Sequence, residues 1–200
     1  MRKTGLRPRV RRRFVPTTTD SNHAYPVAPN RLDREFEAAA PNRKWVCDFT
    51  YIWTDQGWLY LATVMDLFSR KIVGWSMQDH MKTSLVSQAL QMALHTRRPA
   101  EGLLHHSDRG VQYASDEYQQ MIRANGIECS MSRTGDCYDN AAAESLFATL
   151  KRERINAKHY ETLEEAKADL FEWIEVFYNR QRRHSALGYM SPEAFEAQHN

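Results

Sequence analysis

The chain has 200 residues, 42% hydrophobic and 26% charged, a composition typical of a globular protein and unlike that of a disordered or membrane-embedded one. Its longest stretch without a charged side chain, Thr83 to Thr96, is shorter than the about 20 apolar residues that span a bilayer. No apolar run follows the basic N-terminus, so we expect no secretory signal. Three cysteines without C-x-x-C spacing indicate reduced thiols in a cytoplasmic protein and no zinc site.

The formal net charge of +2 conceals an uneven distribution. Met1 to Lys44 holds 11 Lys and Arg against 4 Asp and Glu, whereas Trp45 to Leu150 holds 8 against 12. The first 13 residues include Arg11, Arg12 and Arg13 among seven basic side chains and contain no acid. Such a run fits either a DNA-binding arm that contacts phosphates without reading sequence or a solvated tail, and composition favours neither.

The first 41 residues contain five prolines and little apolar periodicity, which predicts an extended arm or linker over residues 1–40, with a short helical piece near Arg31 to Ala40. Regular patterning begins at Trp45. Three β-rich segments separated by turn residues predict an antiparallel meander. Its strands are predicted at Trp45 to Ile52, Trp58 to Asp66 and Lys71 to Met77.

Helices and two further strands alternate after the meander. Apolar residues at helical spacing predict a helix that starts near Thr83 or Ser84. Ser115 and Thr162 are typical N-caps, and Ser191-Pro192 is typical of a helix start. The long helix after Thr162 is expected to bury Leu163, Ala166, Leu170, Trp173, Ile174 and Phe177. The strands are predicted at Leu103 to Ser107 and Ile127 to Ser130, and a further helix at Ala141 to Arg154.

This order of elements predicts an α/β fold for residues 41–200. A meander followed by strands reached through helical crossovers forms a mixed five-stranded sheet with helices on both faces. Ligands of such folds bind beyond strand ends, where loops and helix termini meet.

Three acidic residues occupy positions that packing does not explain. Asp48 lies within a predicted central strand, Asp108 follows the fourth strand, and Glu144 lies one turn into a helix. A lone carboxylate within a sheet is costly unless it meets a cation or hydrogen-bond donors. If the first and fourth strands are neighbours, the three converge on a site for Mg²⁺ or Mn²⁺, which prefer oxygen ligands. Two such ions can promote phosphodiester cleavage and transfer. Without more information, however, most acids are solvated surface residues.

Five long motifs, in the same order along the chain, resemble one family. They are Trp45 to Ile52, Tyr60 to Trp75, His105 to Tyr113, Ser130 to Ser145 and Tyr178 to Tyr189. The chain is similar from about residue 20 onwards to the bacterial insertion-sequence transposases whose second reading frame encodes a retroviral-integrase-like catalytic core.

The resemblance implies an RNase H-like fold and a transposase that cleaves and joins DNA strands. It implies that Asp48, Asp108 and Glu144 form the catalytic, metal-binding triad, with 35 residues between the last two, and that Lys151 holds DNA. Two Mg²⁺ or Mn²⁺ ions are the expected cofactors. Arg109, Asn140 and the arm residues Arg11, Arg12 and Arg13 are further candidate DNA contacts.

The expected partners are element-end and target DNA, further copies of the chain on that DNA, and a helix-turn-helix product of the upstream frame. The expected location is the bacterial cytoplasm, associated with the nucleoid. Two alternatives stay open: a truncated, catalytically idle DNA-binding regulator of transposition, and a nuclease of the same fold without joining activity.

Other polar residues have competing interpretations. His105 and His106 fit packing and hydrogen bonding better than catalysis. Asp66 is expected to bond Ser69 or Arg70 as a structural group. The segment Tyr138 to Asn140 suits substrate positioning and helix capping equally. Arg180, Arg182, Arg183 and His184 suit DNA contacts, or, for Arg182 and His184, attachment of the last helix to the core.

Overall fold

The computed structural model describes residues 23–134 and 137–199, except the side chain of Cys137. Five strands form one mixed sheet in the order β3-β2-β1-β4-β5. The first two pairings are antiparallel, and β1 with β4 and β4 with β5 are parallel, which confirms the predicted fold class. The strands are β1 (Lys44–Thr54), β2 (Gly57–Asp66), β3 (Ile72–Gln78), β4 (Leu104–Ser107) and β5 (Glu128–Met131).

Helices lie between and after the strands. The α-helices are α1 (Thr83–Arg97), α2 (Val111–Ala114), α3 (Asp116–Ala124), α4 (Ala141–Glu153), α5 (Leu163–Phe171) and α6 (Pro192–His199). A π-helix (Glu172–Tyr178) continues α5, and 3₁₀ turns occur at Cys137–Asn140, Ile155–Ala157 and Ser185–Leu187. Among the described residues, none of these helices has the length and apolarity needed to cross a membrane.

The sheet buries a different set of side chains on each face, because alternate strand residues point to opposite sides. Val46 and Ile52 pack in one core with α4, α5 and the π-helix. Trp45 and Cys47 pack in a second core with α1 and α3. Helix α1 approaches β3 closely at Gly74, where a Cβ would lie 2.2 Å from the carbonyl oxygen of Ala89, so only glycine fits there.

Three helix starts confirm the predicted caps and one does not. Ser115 accepts a hydrogen bond from the amide of Tyr118, Thr162 from Glu165, and Ser191 from Ala194. Helix α1 instead has Lys82 as its N-cap residue and no side-chain cap, so the prediction of Thr83 or Ser84 was wrong. The hydroxyl of Ser84 bonds to Gln78 instead.

The helix predicted near Arg31 to Ala40 does not form. Asp33 and Arg34 both have positive φ angles, 41° and 64°, and lie in a turn. The neighbouring Leu32 is 1% exposed and belongs to the core that contains α4. The amides of Arg31 and Leu32 donate to the hydroxyl of Ser130 at the end of β5. Residues just before β1 therefore pack on the sheet, while the domain division at residue 40 stays a prediction.

The final long helix buries one residue other than those predicted. Ala166, Leu170, Trp173 and Ile174 are buried as expected and Leu163 is half-buried, but Phe177 is 38% exposed and Tyr178 is 3% exposed. The π-helical turn is the reason, since its wider spacing moves the buried position one residue further along the chain.

Candidate active site

Asp48 and Asp108 lie side by side because of the register of the two central strands. Residues of β1 pair with residues of β4 that follow them by sixty positions, as Val46 with His106. If this register is continued by two residues, Asp108 lies opposite Asp48. Both are just past the last paired residues, where β4 has ended and β1 continues. Alternation places Asp48 on the same face as Val46, which is the face that α4 covers.

Backbone amides hold the two aspartates in place. An Oδ1 atom of Asp48 accepts a hydrogen bond of 2.8 Å from the amide of Phe49. The Oδ1 atom of Asp108 accepts one of 2.9 Å from Gly110 as the chain turns towards α2. A Cβ on Gly110 would lie 3.0 Å from that same oxygen, so a larger residue would crowd the carboxylate. Both side chains are half-buried.

Glu144 approaches from the first turn of α4 and is exposed. Its neighbours Ala143 and Phe147 are buried against the sheet and fix the helix on that face. The helix start is also tied to β1, because the side-chain amide of Asn140 donates to the carbonyl oxygen of Cys47, at 3.4 Å. Glu144 is therefore held near Asp48 while its carboxylate meets solvent.

Asp108 and Glu144 both lie close enough for their charges to act on the Asp48 carboxyl, and we refer to the three as the carboxylate cluster. Burial raises the pKa of the Asp48 carboxyl well above its ordinary value, and the negative charges of Asp108 and Glu144 raise it further. The Phe49 amide and the positive charge of Lys151 lower that pKa. Lys151 lies two turns after Glu144 on α4, with its Nζ 5.2 Å from the centre of the Tyr51 ring. The site thus concentrates negative charge with one lysine beside it.

The donor chemistry of this cluster fits a hard divalent cation. All three side chains offer carboxylate oxygens, and a cation between them would offset the repulsion that raises the pKa of Asp48. Within residues 23–134 and 137–199, no three His, Cys, Asp or Glu side chains already stand close enough to hold one ion. The three carboxylates therefore lie in one region and affect one another electrostatically, but they do not converge on a single ion position.

A buried tyrosine that the motif analysis left without a role lies beside the cluster. The Tyr113 hydroxyl is buried and has no hydrogen-bond partner among the described residues. Burial raises the pKa of Tyr113, and the charges of Asp48 and Asp108 add to that rise. Tyr113 ends the motif from His105 to Tyr113, but no pattern predicted the short helix α2 in which it lies, so no role was expected for it.

The other predicted DNA contacts are placed differently. Arg109 is bound to the loop that follows β5, donating to the carbonyl oxygen of Ser132 and, at 2.7 Å, to the hydroxyl of Thr134. Asn140 is only 5% exposed. Residues Arg11, Arg12 and Arg13 lie outside the described residues.

Asp139 performs a structural role that neither interpretation of its segment foresaw. Its carboxylate is fully buried and accepts three hydrogen bonds from the amide, Nε and Nη2 of Arg133, at 2.7–2.9 Å. Arg34 adds a fourth, of 3.2 Å. These donors hold the pKa of Asp139 far below its ordinary value. Asn140 is the N-cap residue of α4 but makes no side-chain cap bond, and Tyr138 is 67% exposed.

The two histidines before Asp108 pack and bond within the fold, as predicted. His105 bonds to the hydroxyl of Tyr118 at 2.8 Å. His106 lies between the hydroxyls of Ser130 and Ser132, at 2.8 and 3.1 Å. Burial lowers the pKa of His105 to about 3 and that of His106 to about 4, so both rings are neutral at pH 7.

Asp66 is structural, but its partners differ from the prediction. It accepts hydrogen bonds from the amides of Asn42 and Phe68 and pairs with Arg97, and not with Ser69 or Arg70. Ser69 bonds to Glu196 of α6 instead.

Arg182 and His184 attach the last segment of the chain to the core, which is the second of the two interpretations given for them. Arg182 donates two hydrogen bonds of 2.8 Å to Glu153 at the end of α4. The His184 ring packs edge-on against Tyr178.

Comparison with protein families gives two matches to models described as Integrase core domain, over residues 38–137 and 125–192. The chain is 46% identical to the transposase InsF of insertion sequence IS3A from Escherichia coli strain K12, covering 98% of this chain and 68% of that protein. It is 47% identical to a 31 kDa protein of insertion element IS600 from Shigella sonnei, covering 98% of this chain and 71% of that protein.

Solved structures share the fold at low sequence identity. The catalytic core domain of the HTLV-2 integrase in complex with magnesium aligns with a TM-score of 0.60 and 15% identity, over 80% of this chain and 99% of that one. A chain of the simian T-cell lymphotropic virus intasome, in complex with the PP2A regulatory subunit B56 gamma, aligns with a TM-score of 0.65 and 17% identity. That alignment covers 90% of this chain and 61% of the other.

Proposed function

The chain belongs to the insertion-sequence transposases with an integrase core domain, and from this premise we propose that Asp48, Asp108 and Glu144 are its catalytic carboxylates. The reaction is cleavage of DNA at the end of an insertion element, followed by joining of the freed 3′-hydroxyl to target DNA. One observation carries this assignment. Asp48 and Asp108 lie side by side where the pairing of β1 with β4 ends, and the charge of Glu144 in α4 raises the pKa of Asp48.

The three carboxylates would hold Mg²⁺ or Mn²⁺, and two ions suit the reaction. When bound, such ions activate a water or 3′-hydroxyl and stabilise the leaving oxygen of a phosphodiester. The magnesium complex of the HTLV-2 integrase core supports this choice of metal. Asp48 lies in β1, Asp108 directly follows β4 and Glu144 lies in α4, and these regular elements restrict the drift of the three carboxylates.

The residues around the carboxylates position and balance the site. The amides of Phe49 and Gly110 orient Asp48 and Asp108. Lys151 supplies a positive charge next to Asp48 on the flank where a DNA phosphate would approach. Nucleophilic attack by water or a DNA hydroxyl requires no covalent protein intermediate, so no tyrosine or serine of the chain serves as a nucleophile.

We assign DNA contacts to Lys151 and the basic arm with Arg11, Arg12 and Arg13, and a positioning role to the other two predicted contacts, Arg109 and Asn140. Arg109 and Asn140 would act by holding the loop and the α4 start beside the site, as their bonds to Ser132 and Cys47 indicate. The active assembly would contain several copies of the chain on element-end and target DNA, in the bacterial cytoplasm with the nucleoid. A helix-turn-helix product of the upstream frame would add recognition of the element ends.

The test is a strand-transfer assay with labelled element-end duplex and plasmid target, in Mg²⁺ and in Mn²⁺. Asp48→Asn, Asp108→Asn and Glu144→Gln should each abolish cleavage and joining, while Asp79→Asn, the same change at an exposed site, should not. Adding the upstream product to parallel reactions shows whether it is needed. Variants of the triad that cut and join as the parent does would refute the assignment.

The same assay separates the two alternatives. A nuclease would cleave in Mg²⁺ without producing joined strands. An idle DNA-binding regulator would bind DNA but form neither product, with or without the upstream partner.

A further inference from the structure

A cavity of about 600 Å³ lies on the opposite flank of α4 from the carboxylates, between that helix and the segment from Tyr178 to Tyr189. Its walls include Arg70, Arg182, Arg183 and His184. Among the described residues, none of those that line it is an aspartate or a glutamate. The lining residues of the cavity therefore include basic side chains and no acidic ones, which favours an anion over a cation.

Two of its four basic side chains are already neutral or neutralised. Arg182 is paired with Glu153 through two hydrogen bonds. Burial and the nearby arginines lower the pKa of His184 to about 4, so that ring is uncharged at pH 7. These two side chains line the cavity, but its positive charge comes from the other two basic residues, Arg70 and Arg183.

Arg70 and Arg183 supply the positive charge. Arg70 is half-buried, and its guanidinium donates to an uncharged partner, the carbonyl oxygen of Phe36, at 3.4 Å. The negative charge of Glu37 raises the pKa of Arg70, but burial lowers that pKa by more. Arg183 is exposed and makes no side-chain bond within the described part of the chain. A phosphate would compensate both cations.

Helix α4 separates this cavity from the carboxylates by its own width. Ala141, Ser145 and Thr149 line the cavity at four-residue spacing, whereas Glu144 and Lys151 share the other flank. An α-helix with side chains is about 10–12 Å across, and the major groove of B-DNA is about 12 Å wide. Phosphates on the two sides of one groove can therefore reach both flanks of α4 together.

The rim of the cavity carries an aromatic side chain held by its backbone. Tyr189 is 71% exposed, and its φ is 62°, within a turn that includes Gly188. Its amide donates to the carbonyl oxygen of His184 at 2.9 Å, and the next residue, Met190, bridges to His184. The turn presents the ring to solvent without relying on side-chain packing.

We propose that this cavity binds a backbone phosphate of the DNA substrate through Arg183 and Arg70, with Tyr189 against the adjoining sugar. The DNA would cross α4, with one strand at the carboxylates and the other at the cavity. This inference rests on the proposed function and adds to it a second DNA contact, outside the catalytic carboxylates.

The test compares Arg183→Glu with Arg123→Glu, which makes the same charge change at an exposed position on α3, across the sheet. Binding of a fluorescein-labelled duplex is measured by anisotropy in EDTA from about 50 to 200 mM salt. Arg183→Glu should weaken binding by about tenfold and make the log–log salt slope shallower by about 0.9. Arg123→Glu should leave both close to those of the parent.

Arg183→Ala serves as a second variant without added negative charge, and Tyr189→Ser tests the rim. Equal effects of Arg183→Glu and Arg123→Glu, or an unchanged slope in Arg183→Ala, would overturn the proposal, as would a parent that binds no duplex. Because binding is measured without metal, this result is independent of the triad. Absence of Mg²⁺-dependent cleavage in the parent, both with and without the upstream product, would refute the proposed function and leave the binding difference standing.

Discussion

Asp48 and Asp139 are two carboxylates near the start of α4 with opposite surroundings. Arg133 and Arg34 surround Asp139 with donors, and these hold its pKa far below the ordinary value. Asp48 has one amide donor and two acidic neighbours, and its pKa is raised. The comparison shows that this fold compensates a buried charge where the charge serves structure. At Asp48, where Lys151 only partly offsets the acidic neighbours, a bound cation would relieve the remaining repulsion.

The largest expected difference is in activity. Asp48→Asn should reduce strand transfer by at least about 10³-fold, since loss of a metal ligand costs several kcal/mol of transition-state stabilisation. The same variant should not melt below the parent in EDTA, because it removes one of several repelling charges. Circular dichroism melting together with the strand-transfer assay checks both. A clear drop in melting temperature would mean that the Asp48 charge is compensated after all.

Asp139→Asn, unlike Asp48→Asn, should destabilise the folded state. Loss of charged hydrogen bonds to Arg133 and Arg34 should lower the free energy of unfolding by about 2 kcal/mol, or the melting temperature by about 4–8 °C. Denaturant titration measures this change, with Asp79→Asn as the matched control. Stability equal to that of the control would remove the contrast between the two carboxylates.

Metal should distinguish the two positions in the parent protein. At ten times its dissociation constant, Mg²⁺ or Mn²⁺ bound only to the folded state adds about 1.4 kcal/mol, a rise of about 3–6 °C in melting temperature. Asp139→Asn should retain this rise from its lower baseline, and Asp48→Asn should lose it. Thermal melts with and without the ion provide the measurement. An equal rise in Asp48→Asn would place the metal elsewhere.

The smallest expected effect is a change in folding stability at acid pH. A depressed carboxyl pKa stabilises the folded state above the ordinary pKa of about 3.9, and this contribution is lost as pH falls. From pH 5 to pH 4 the stability advantage of the parent over Asp139→Asn should therefore shrink by about 0.3 kcal/mol. Paired urea titrations at the two pH values measure it. A growing advantage in acid would reverse the sign assigned to Asp139.

Strand pattern and spacing were sufficient to predict the sheet, because alternation and turn residues act locally. The convergence of Asp48 with Asp108 depended only on the adjacency of β1 and β4, which topology supplies. The ion pair of Asp139 with Arg34 could not be predicted, since Arg34 lies 105 residues away in a turn that has no periodic signal. The packing of Leu32 on the sheet was missed for the same reason.

The π-helical turn from Glu172 to Tyr178 sets the rotation of everything that follows it. Asn179, directly after it, uses its side-chain amide to pair with both backbone groups of Ile72 on the edge strand. If the turn adopted ordinary α spacing with all of its residues kept, the downstream chain would be rotated by about 100°, since each residue turns the helix by that angle. Asn179 would leave β3, and Arg182 would leave Glu153. The wider spacing of this turn therefore absorbs one extra residue and keeps the C-terminal segment in phase with the sheet.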